Sequence, residues 1–227
     1  KWNYYSPNIS RYCTKTFLSM KLLIVDDHSI VRKGIRQIIS EEFQNAEIME
    51  AVNGSQMIQF MRNHNFDIVI SDLSMPGKNA LELLKDIKSE GIKTPVLILS
   101  MHPEDQYAIR VLKAGGAGYL TKESAPEELV KAINQVLAGR KYISPSVADQ
   151  MLFPFDKDHE PSLHERLSDR EFTVFKLIAS GKTVGEIAEI LKLSVPTIST
   201  YRARILEKTN LKSNAEITRH AILHGLV

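Results

Sequence analysis

The chain has 227 residues, 43% of them hydrophobic and 25% charged, which suits one large or two ordinary domains and excludes general disorder. Its net charge of +2 is too small to identify a class of partner. A single cysteine, Cys13, excludes an internal disulfide and fits a reducing, cytoplasmic location. No apolar run reaches the roughly 20 residues that a membrane-spanning helix needs, so we expect no membrane contact.

The first 19 residues show no clear period, with Trp2, Tyr4, Tyr5 and Tyr12 among Asn, Ser and Thr. They contain no continuous apolar stretch of about 7–15 residues, so they do not resemble a signal peptide. Met20 stands directly before the first strong strand. We therefore expect the native protein to start at Met20, with residues 1–19 a non-native or a flexible segment.

From residue 21 to about residue 139, short apolar strands alternate with amphipathic helices. The predicted strands cover residues 21–25, 47–51, 66–71, 95–99 and 117–121. The predicted helices cover residues 29–39, 54–64, 81–88, 102–114 and 125–138, with Ser29 as the expected N-cap of the first helix. This alternation predicts an α/β flavodoxin-like domain, a doubly wound five-stranded parallel sheet with the strand order 2-1-3-4-5.

The third predicted strand is the centre of this pattern. Its residues 68–70 (Ile-Val-Ile) form a β-branched run typical of a strand buried on both faces, and Asp72 lies where the strand ends, before the Pro76-Gly77 loop. Open α/β sheets carry their chemistry at the carboxyl ends of central strands. Taken alone, Asp72 fits a functional carboxylate and a turn-capping aspartate equally well.

The other strand ends favour a functional carboxylate. Asp26 and Asp27 follow the first strand, Ser100 ends the fourth and Lys122 ends the fifth. Three carboxylates at one sheet edge would repel each other and raise each other's pKa, which a divalent cation resolves. Oxygen ligands suit magnesium (Mg2+), and the acidic first loop argues against a phosphate-bearing cofactor such as FMN.

A carboxylate beside Mg2+ can act as the nucleophile of a phosphoryl transfer and form an aspartyl phosphate. We assign this role to Asp72, because it lies alone on the central strand with the lysine side open. Lys122 would then pair with the phosphoryl oxygens, and the Ser100 hydroxyl could hydrogen-bond one of them.

The periodicity fades in residues 140–166, which carry three prolines and mixed charges. We predict a linker there, with a short helical piece at residues 146–152. Residues 167–227 indicate short helices only, and Ser168 and Glu171 form a capping-box pair. Two short helices, a tight turn at residues 192–194 and a longer third helix predict a small all-α helix-turn-helix domain of four helices.

The third of these helices has the composition of a DNA-reading helix. Ile198, Ile205 and Leu206 would face the core. The side chains left largely outward are hydroxyl-bearing, aromatic or cationic: Thr197, Ser199, Thr200, Tyr201, Arg202, Arg204 and Lys208. Cations supply phosphate contacts and small hydroxyls approach base edges, while Lys182 and Thr183 begin the preceding helix, whose backbone amides can meet a phosphate. The alternative is a solvated helix face, and the helix-turn-helix context favours DNA.

Residues 21–138 resemble the receiver domain of two-component response regulators. The matching motifs, in order and spacing, are 24–28 (Ile-Val-Asp-Asp-His), 72–77 (Asp-Leu-Ser-Met-Pro-Gly), 99–100 (Leu-Ser) and 118–122 (Gly-Tyr-Leu-Thr-Lys). The resemblance implies that a histidine kinase phosphorylates Asp72. It further implies that Mg2+ is held by Asp27, Asp72, the Ser74 carbonyl and, through water, Asp26.

The same resemblance implies a switch near the acceptor. Ser100 and Tyr119 match the hydroxyl and aromatic positions that respond to the phosphate, a local charge event that biases a two-state surface. Ser74 and His102 match positions that set how long the phosphate lasts.

Residues 167–227 resemble a LuxR-type helix-turn-helix domain. The matching motifs are 167–171 (Leu-Ser-Asp-Arg-Glu), 181–183 (Gly-Lys-Thr), 186–188 (Glu-Ile-Ala), 193–194 (Leu-Ser) and 197–199 (Thr-Ile-Ser). With the receiver, the whole of residues 20–227 resembles a regulator of the NarL/FixJ type. The predicted organisation is a segment at residues 1–19, a receiver at 20–139, a linker at 140–166 and a DNA-binding domain at 167–227.

The family resemblance implies how the two domains work together. Phosphorylation would release the output domain from the receiver and promote homodimers on paired half-sites of promoter DNA. The last helix, around residues 215–223, matches a dimer contact, although its apolar residues could equally belong to the core of the domain.

The leading prediction is thus a phosphorylation-controlled DNA-binding transcription regulator with no enzyme activity beyond accepting and losing its own phosphoryl group. One alternative is a Mg2+-dependent phosphohydrolase on the same fold. Those enzymes carry their nucleophile after the first strand, whereas the candidate here lies on the third strand. They also have a substrate-capping insert, and this sequence has none. Another alternative is a regulator that works unphosphorylated, against which the intact acidic cluster and Lys122 speak.

Overall fold

The computed structural model describes residues 20–75, 80–152 and 163–227. Residues 1–19, the Pro76-Gly77 loop and residues 153–162 of the predicted linker lie outside the described residues. Within the described ranges, no helix is both long enough and apolar enough to cross a membrane.

The amino-terminal domain is built on a five-stranded parallel sheet with the order β2-β1-β3-β4-β5. The strands are β1 (Lys21–Val25), β2 (Glu47–Ala51), β3 (Ile68–Asp72), β4 (Val96–Ser100) and β5 (Gly118–Thr121). Strands β3 and β4 are buried along their whole length, which explains why their sequences are continuously apolar rather than alternating. The predicted flavodoxin-like fold and strand order are therefore confirmed.

Helices cover both faces of this sheet. They are α1 (Ser29–Glu42), α2 (Gly54–Asn63), α3 (Ala80–Ser89), α4 (Glu104–Ala114) and α5 (Ala125–Leu137). The buried residues of α1 and α5 form one apolar cluster with one face of the sheet, and those of α2, α3 and α4 form a second cluster with the other face. This is the doubly wound arrangement that right-handed crossovers produce.

Strand register brings the polar strand ends together. Strands β1 and β3 pair so that Asp26 and Asp72, at their carboxyl ends, leave the sheet side by side. Strands β4 and β5 pair so that Ser100 lies opposite Thr121. The next residue, Lys122, donates its backbone N–H to the Ser100 carbonyl at 2.7 Å. The predicted convergence at one sheet edge therefore follows from the pairing itself.

The start of α1 differs from the prediction. Ser29 is the first helical residue, and His28 holds the N-cap position without a side-chain capping bond. The His28 ring instead lies 3.1 Å from a carboxylate oxygen of Asp26 and 3.0 Å from one of Asp27. The residue before the helix thus belongs to the acidic loop rather than to the helix.

The first half of the predicted linker is packed on the amino-terminal domain. Tyr142 is buried, donates its backbone N–H to the Ala117 carbonyl at 2.9 Å and forms a parallel bridge with Gly118. A Cβ at Gly118 would lie 2.8 Å from the Tyr142 carbonyl oxygen, so only glycine permits this approach. The short helical piece predicted at residues 146–152 is present as α6 (Pro145–Leu152), which packs on α4 through buried Val147. Two buried residues in a polar stretch give no periodic signal.

The carboxyl-terminal domain is helical, as predicted. It consists of a 3-10 turn (Leu163–Arg166), α7 (Asp169–Ala179), α8 (Val184–Leu191), α9 (Val195–Thr209) and α10 (Asn214–Leu223). The capping box of Ser168 and Glu171 is present at α7, and Thr183 and Glu186 form another at α8. A left-handed Lys192 ends α8 and leads into the turn before α9. The helix-turn-helix arrangement is thus built by α8 and α9.

Candidate functional site

The acidic cluster lies at the carboxyl edge of the sheet. Asp26 and Asp72 are almost completely buried, whereas Asp27 is exposed. Together with His28, these aspartates offer ligand atoms that all lie within 4.8 Å of one another. Sequence reasoning brought the three carboxylates together; it did not place the His28 imidazole among them.

Lys122 lies between the two buried aspartates. Its Nζ is 2.7 Å from Asp26 Oδ2 and 3.2 Å from Asp72 Oδ2, and only 10% of its side chain is exposed. Lys122 lies at this edge of the sheet because it directly follows Thr121, the last residue of β5. One cation therefore partly neutralises two carboxylates inside the protein.

The charges of Asp26, Asp72 and Lys122 do not cancel. Burial raises the pKa of Asp72, and the negative charge of Asp26 adds to the rise, although Lys122 and the backbone N–H of Ser74 oppose it. Burial disfavours the charge on Lys122, but its bonds to Asp26 and Asp72 outweigh burial and raise its pKa. The site therefore holds more negative charge than its own cation balances.

A divalent cation fits this donor set. Mg2+ binds carboxylate and carbonyl oxygens and keeps several waters, and the aspartates supply such oxygens around a partly exposed rim at Asp27. Burial is the main cause of the raised pKa of Asp72, and the charge of Asp26 adds to it, so a further positive charge would favour the Asp72 anion. Ser74 is exposed directly after β3, so its carbonyl belongs to the same loop.

A hydrogen-bonded group extends from the site toward α4. The buried Ser100 hydroxyl accepts the His102 backbone N–H at 3.1 Å, and the buried Tyr119 hydroxyl donates to the His102 carbonyl at 2.8 Å. The His102 ring lies with Nε2 3.1 Å from Ser74 Oγ. It also stacks on Tyr107 of α4 with a centroid distance of 5.0 Å. His102 therefore links all four neighbours.

Burial favours the neutral forms of His102, Tyr119 and Tyr107. Burial, followed by Lys176 and Lys122, lowers the pKa of His102, so the ring is uncharged at neutral pH. Burial raises the pKa of Tyr119 and raises that of Tyr107 to about 12. A change at His102 would therefore reach the two tyrosines as a movement of side chains and not as a change of charge.

Sequence reasoning missed two basic residues behind the acidic loop. Arg32 of α1 donates from Nη1 to the Asp26 carbonyl at 2.7 Å and from Nε to Glu50 Oε2 at 3.1 Å. Arg36 binds the other oxygen of Glu50 at 3.0 Å. Helical spacing places both arginines on the β2 side of α1, but only the tertiary fold shows that they brace the loop.

The outward face of α9 carries most of the predicted DNA-contacting residues. Ser199, Thr200 and Arg204 are exposed, and Thr197 is half-buried because its backbone N–H and hydroxyl both contact the capping Ser194. On the core side Ile198 and Ile205 are fully buried. Lys182 and Thr183, which are the predicted DNA-contacting residues just before α8, are likewise exposed.

Three predicted DNA-contacting residues contact other helices or the core of the domain. Lys208 Nζ lies 2.7 Å from Glu171 Oε2 of α7, with 42% of its side chain exposed. Arg202 Nε donates to Asn214 Oδ1 at 2.7 Å. Tyr201 is half-buried against the core. Their atoms therefore have structural partners within the domain as well as access to solvent.

The two domains contact each other through α3 and α4. Arg170 of α7 binds both oxygens of Glu82 at 2.5 Å, and Lys85 lies 2.7 Å from Asp169. Arg110 of α4 lies with its guanidinium 4.4 Å from the centre of the Phe172 ring. The interdomain contact thus joins α7 to the face of α4 that also carries Tyr107.

Backbone groups complete the interdomain contact. Arg110 donates to the carbonyls of Leu167 and His164 at 2.9 and 2.8 Å. Gln106 donates to the Gly225 carbonyl at 3.0 Å. Tyr107 meets the edge of Phe172 at 5.5 Å between ring centres. His102, Tyr107 and Phe172 therefore form a continuous ring contact from the acidic site to the second domain.

Comparison with protein families gives two matches along the chain. The family described as "Response regulator receiver domain" matches residues 22–134. The family described as "Bacterial regulatory proteins, luxR family" matches residues 165–221.

Individual proteins show the same combination. The chain is 37% identical over 209 residues to Response regulator UvrY of Escherichia coli (strain K12), which covers 91% of this chain and 95% of that protein. It is similar to the structure of RcsB from Salmonella enterica serovar Typhimurium bound to promoter rprA in the presence of phosphomimetic BeF3-, with a TM-score of 0.63, 27% identity and coverage of 89% and 98%. A structure of two RcsB dimers bound to two parallel DNAs matches with a TM-score of 0.55, 28% identity and coverage of 89% and 97%.

Proposed function

Because the chain belongs to the two-component response regulators that join a receiver to a LuxR-type DNA-binding domain, we propose that Asp72 is its phosphoryl acceptor. The observation that carries this proposal is the position of Asp72. It is a buried carboxylate at the end of the central strand, 3.2 Å from Lys122 and beside Asp26. The alternative phosphohydrolase would need its nucleophile directly after β1, whereas Asp72 lies at the end of β3.

The reaction is a transfer from a phosphohistidine of the sensor kinase. An oxygen of the Asp72 carboxylate attacks the phosphorus, a P–O bond forms and the P–N bond breaks, and the histidine leaves with the electron pair. Lys122 moves its ammonium from the two carboxylates toward the phosphoryl oxygens. The Ser100 hydroxyl, which is buried at the same edge, donates to one of these oxygens. Hydrolysis of the aspartyl phosphate by water later restores the carboxylate, and no other enzyme activity is proposed.

Mg2+ would be held by Asp27, Asp72 and the Ser74 carbonyl, with Asp26 acting through water. When bound, it supplies positive charge to the phosphoryl oxygens in the transition state. The protein's own part is to keep the three carboxylates converged, for which Arg32 fixes the backbone at Asp26.

The switch acts through the ring contact described above. When the Ser100 hydroxyl turns to the phosphate, the bond to the His102 N–H is lost. Tyr119, bonded to the His102 carbonyl, and Tyr107, stacked on the His102 ring, shift with it. Phosphorylation thereby alters the surface of α4 that carries Arg110 and contacts Phe172 of the output domain. The output domain is then repositioned for homodimerisation.

The DNA interface is α9 with the start of α8. Arg204 and Lys182 bind phosphates, and the exposed hydroxyls of Ser199 and Thr200 face base edges, with Thr197 at the start of the helix. Tyr201, Arg202 and Lys208 add contacts at the margin of this surface. Paired half-sites in promoter DNA then require two copies of the chain.

The test compares the wild type with Asp72→Ala. Both proteins are incubated with acetyl phosphate and Mg2+, separated on a phosphate-affinity gel and titrated onto genomic DNA fragments. We expect only the wild type to acquire a labile phosphate and to bind DNA more tightly afterwards.

The matched control is Asp67→Ala, which removes an exposed aspartate just before the same strand. It should be modified like the wild type. If Asp72→Ala is still phosphorylated, the acceptor is another residue. If neither protein is modified and both bind DNA equally, the receiver works without phosphorylation.

A further inference from the structure

Three histidine rings meet in the output domain, between the 3-10 turn and the end of α10. His164 belongs to the 3-10 turn that precedes α7, His220 lies in the last turn of α10, and His224 is the C-cap residue of that helix. The ring centres of His220 and His224 are 4.2 Å apart, and each is 5.8 Å from that of His164. Nothing in the phosphorylation switch or the DNA interface uses this cluster.

We propose that His164, His220 and His224 form a binding site for a divalent transition metal ion of the Zn2+ type. The site would join the 3-10 turn to the last helix, with water as the fourth ligand.

The dimensions of the cluster suit such an ion. Zinc binds an imidazole nitrogen at about 2.0–2.1 Å, which puts the ring centre about 3.2 Å from the metal. At a tetrahedral angle, two such ring centres are about 5 Å apart. The distances of 4.2 and 5.8 Å bracket this value. Spacing of two histidines by four residues on a helix also directs both rings to one side.

One nitrogen of the cluster has an unmet bonding need. Among the described residues, Nε2 of His220 is buried and has no hydrogen-bond partner. A buried imidazole nitrogen in this state is unfavourable, and coordination of a metal would satisfy it. The aromatic neighbours Phe172 and Phe175 account for packing of His164 and His220, but they offer no partner to this nitrogen.

Accessibility also favours metal binding. The nitrogens have not converged to ligand spacing in the described conformations, so the rings must turn to bind. His224 is exposed, which gives the ion a route of entry and gives this ring room to turn.

The consequence would be a clamp close to the interdomain contact. The backbone carbonyl of His164 accepts a hydrogen bond from Arg110 of the receiver. An ion that ties His164 to α10 would therefore fix the segment through which the receiver holds the output domain.

The test uses the full-length protein and Zn2+ alone, in an excess of Mg2+ that occupies the acidic site. Competition with a chromophoric zinc chelator should give one ion per chain, and Zn2+ should raise the melting temperature. Replacement of Zn2+ by Co2+ should give the visible absorption of a tetrahedral site. His224→Gln, His220→Gln and His164→Gln should each weaken binding by about tenfold or more.

His64→Gln is the matched control, because His64 is exposed and lies in the receiver. It should bind Zn2+ like the wild type. His224→Gln is the decisive variant, since an exposed side chain can be changed without loss of the fold, which circular dichroism verifies. The proposal is overturned if the wild type binds Zn2+ only at millimolar concentration, or if His224→Gln binds it as tightly as the wild type.

Discussion

At the scale of single residues, the proposed acceptor site combines burial with an incomplete set of charges. Asp26 and Asp72 share one ammonium, that of Lys122, and the pKa of Asp72 is raised mainly because it is buried. A carboxylate that is poorly compensated in the resting state gains more from a cation and from a phosphoryl transfer that engages Lys122. The buried charges that make the resting site less stable are therefore the same charges that the proposed phosphoryl transfer uses.

His102 joins the loop after β3 to α4. Its ring lies 3.1 Å from Ser74 Oγ on the loop after β3 and stacks on Tyr107. We expect His102→Ala to open this side of the site to water. The half-life of the phosphorylated protein should then fall by about threefold or more, because water is the nucleophile in dephosphorylation. Loss of the phosphate, followed over time on a phosphate-affinity gel, measures this half-life.

Phosphorylation itself should be unaffected by this change, because the proposed acceptor, Lys122 and the proposed Mg2+ ligands remain. The rate of modification by acetyl phosphate should therefore agree with that of the wild type and of the control His64→Ala. Equal half-lives for His102→Ala and the wild type would remove His102 from any role in the lifetime of the phosphate.

At the scale of elements, the sequence predicted what local signals encode. Buried strands such as β3 and β4 are continuous apolar runs, and the capping box of Ser168 and Glu171 is read from two residues three positions apart. The convergence of the strand ends followed because parallel pairing fixes which ends are neighbours. Fold, strand order and the acidic cluster were therefore predictable.

Contacts between distant segments were not predictable. Tyr142 bridges to Gly118, Lys208 binds Glu171, and His164 meets α10, and in each case the two partners lie on different segments of the chain. Their side chains are also ordinary surface types in a polar sequence context. Such contacts depend on tertiary packing, which no local period reports.

Glu171 provides a prediction at this scale because it joins two helices. Its carboxylate is buried, accepts the backbone N–H and the hydroxyl of Ser168 at 2.8 and 2.9 Å, and binds Lys208 of α9 at 2.7 Å. We expect Glu171→Gln to destabilise the output domain by about 1–3 kcal/mol at pH 7, since hydrogen bonds to a charged group are lost. Chemical denaturation followed by circular dichroism measures this free energy.

The effect of Glu171 should depend on pH in one direction. Burial opposes its charge, but Lys208 and Ser168 outweigh burial and lower its pKa below the usual 4.5. The stabilisation is therefore present above pH 4.5 and is lost as the pH falls through the lower folded value. The difference between wild type and Glu171→Gln should shrink on acidification. The exposed control Glu189→Gln should change stability by less than about 0.5 kcal/mol at any of these pH values.

At the scale of the whole molecule, the receiver contacts the output domain on a surface that does not include the exposed side of α9. The interdomain contact uses α7, the 3-10 turn and the carbonyl of Gly225, through Arg110, Gln106 and the ion pairs of α3. The exposed residues of α9, such as Ser199, Thr200 and Arg204, face solvent in this same arrangement. In the described residues, therefore, the receiver leaves the proposed DNA-contacting face of α9 uncovered.

This geometry separates two ways in which phosphorylation could control DNA binding. If α9 is already accessible, phosphorylation does not need to uncover it, and its effect must come from pairing two output domains. The affinity for one half-site should then be nearly independent of phosphorylation, within about threefold. On two half-sites one helical turn apart, phosphorylation should raise affinity by about tenfold or more, because the second contact becomes intramolecular.

The measurement uses duplexes with one or two half-sites, selected from random sequence by the phosphorylated full-length protein. Wild type with and without acetyl phosphate and Asp72→Ala are titrated onto each duplex at one salt concentration, since salt alone changes such affinities strongly. Asp72→Ala should match the unphosphorylated wild type on both duplexes. A gain of the same size on one half-site and on two would mean that the receiver covers the DNA-binding face in solution, and that release rather than pairing is the controlled step.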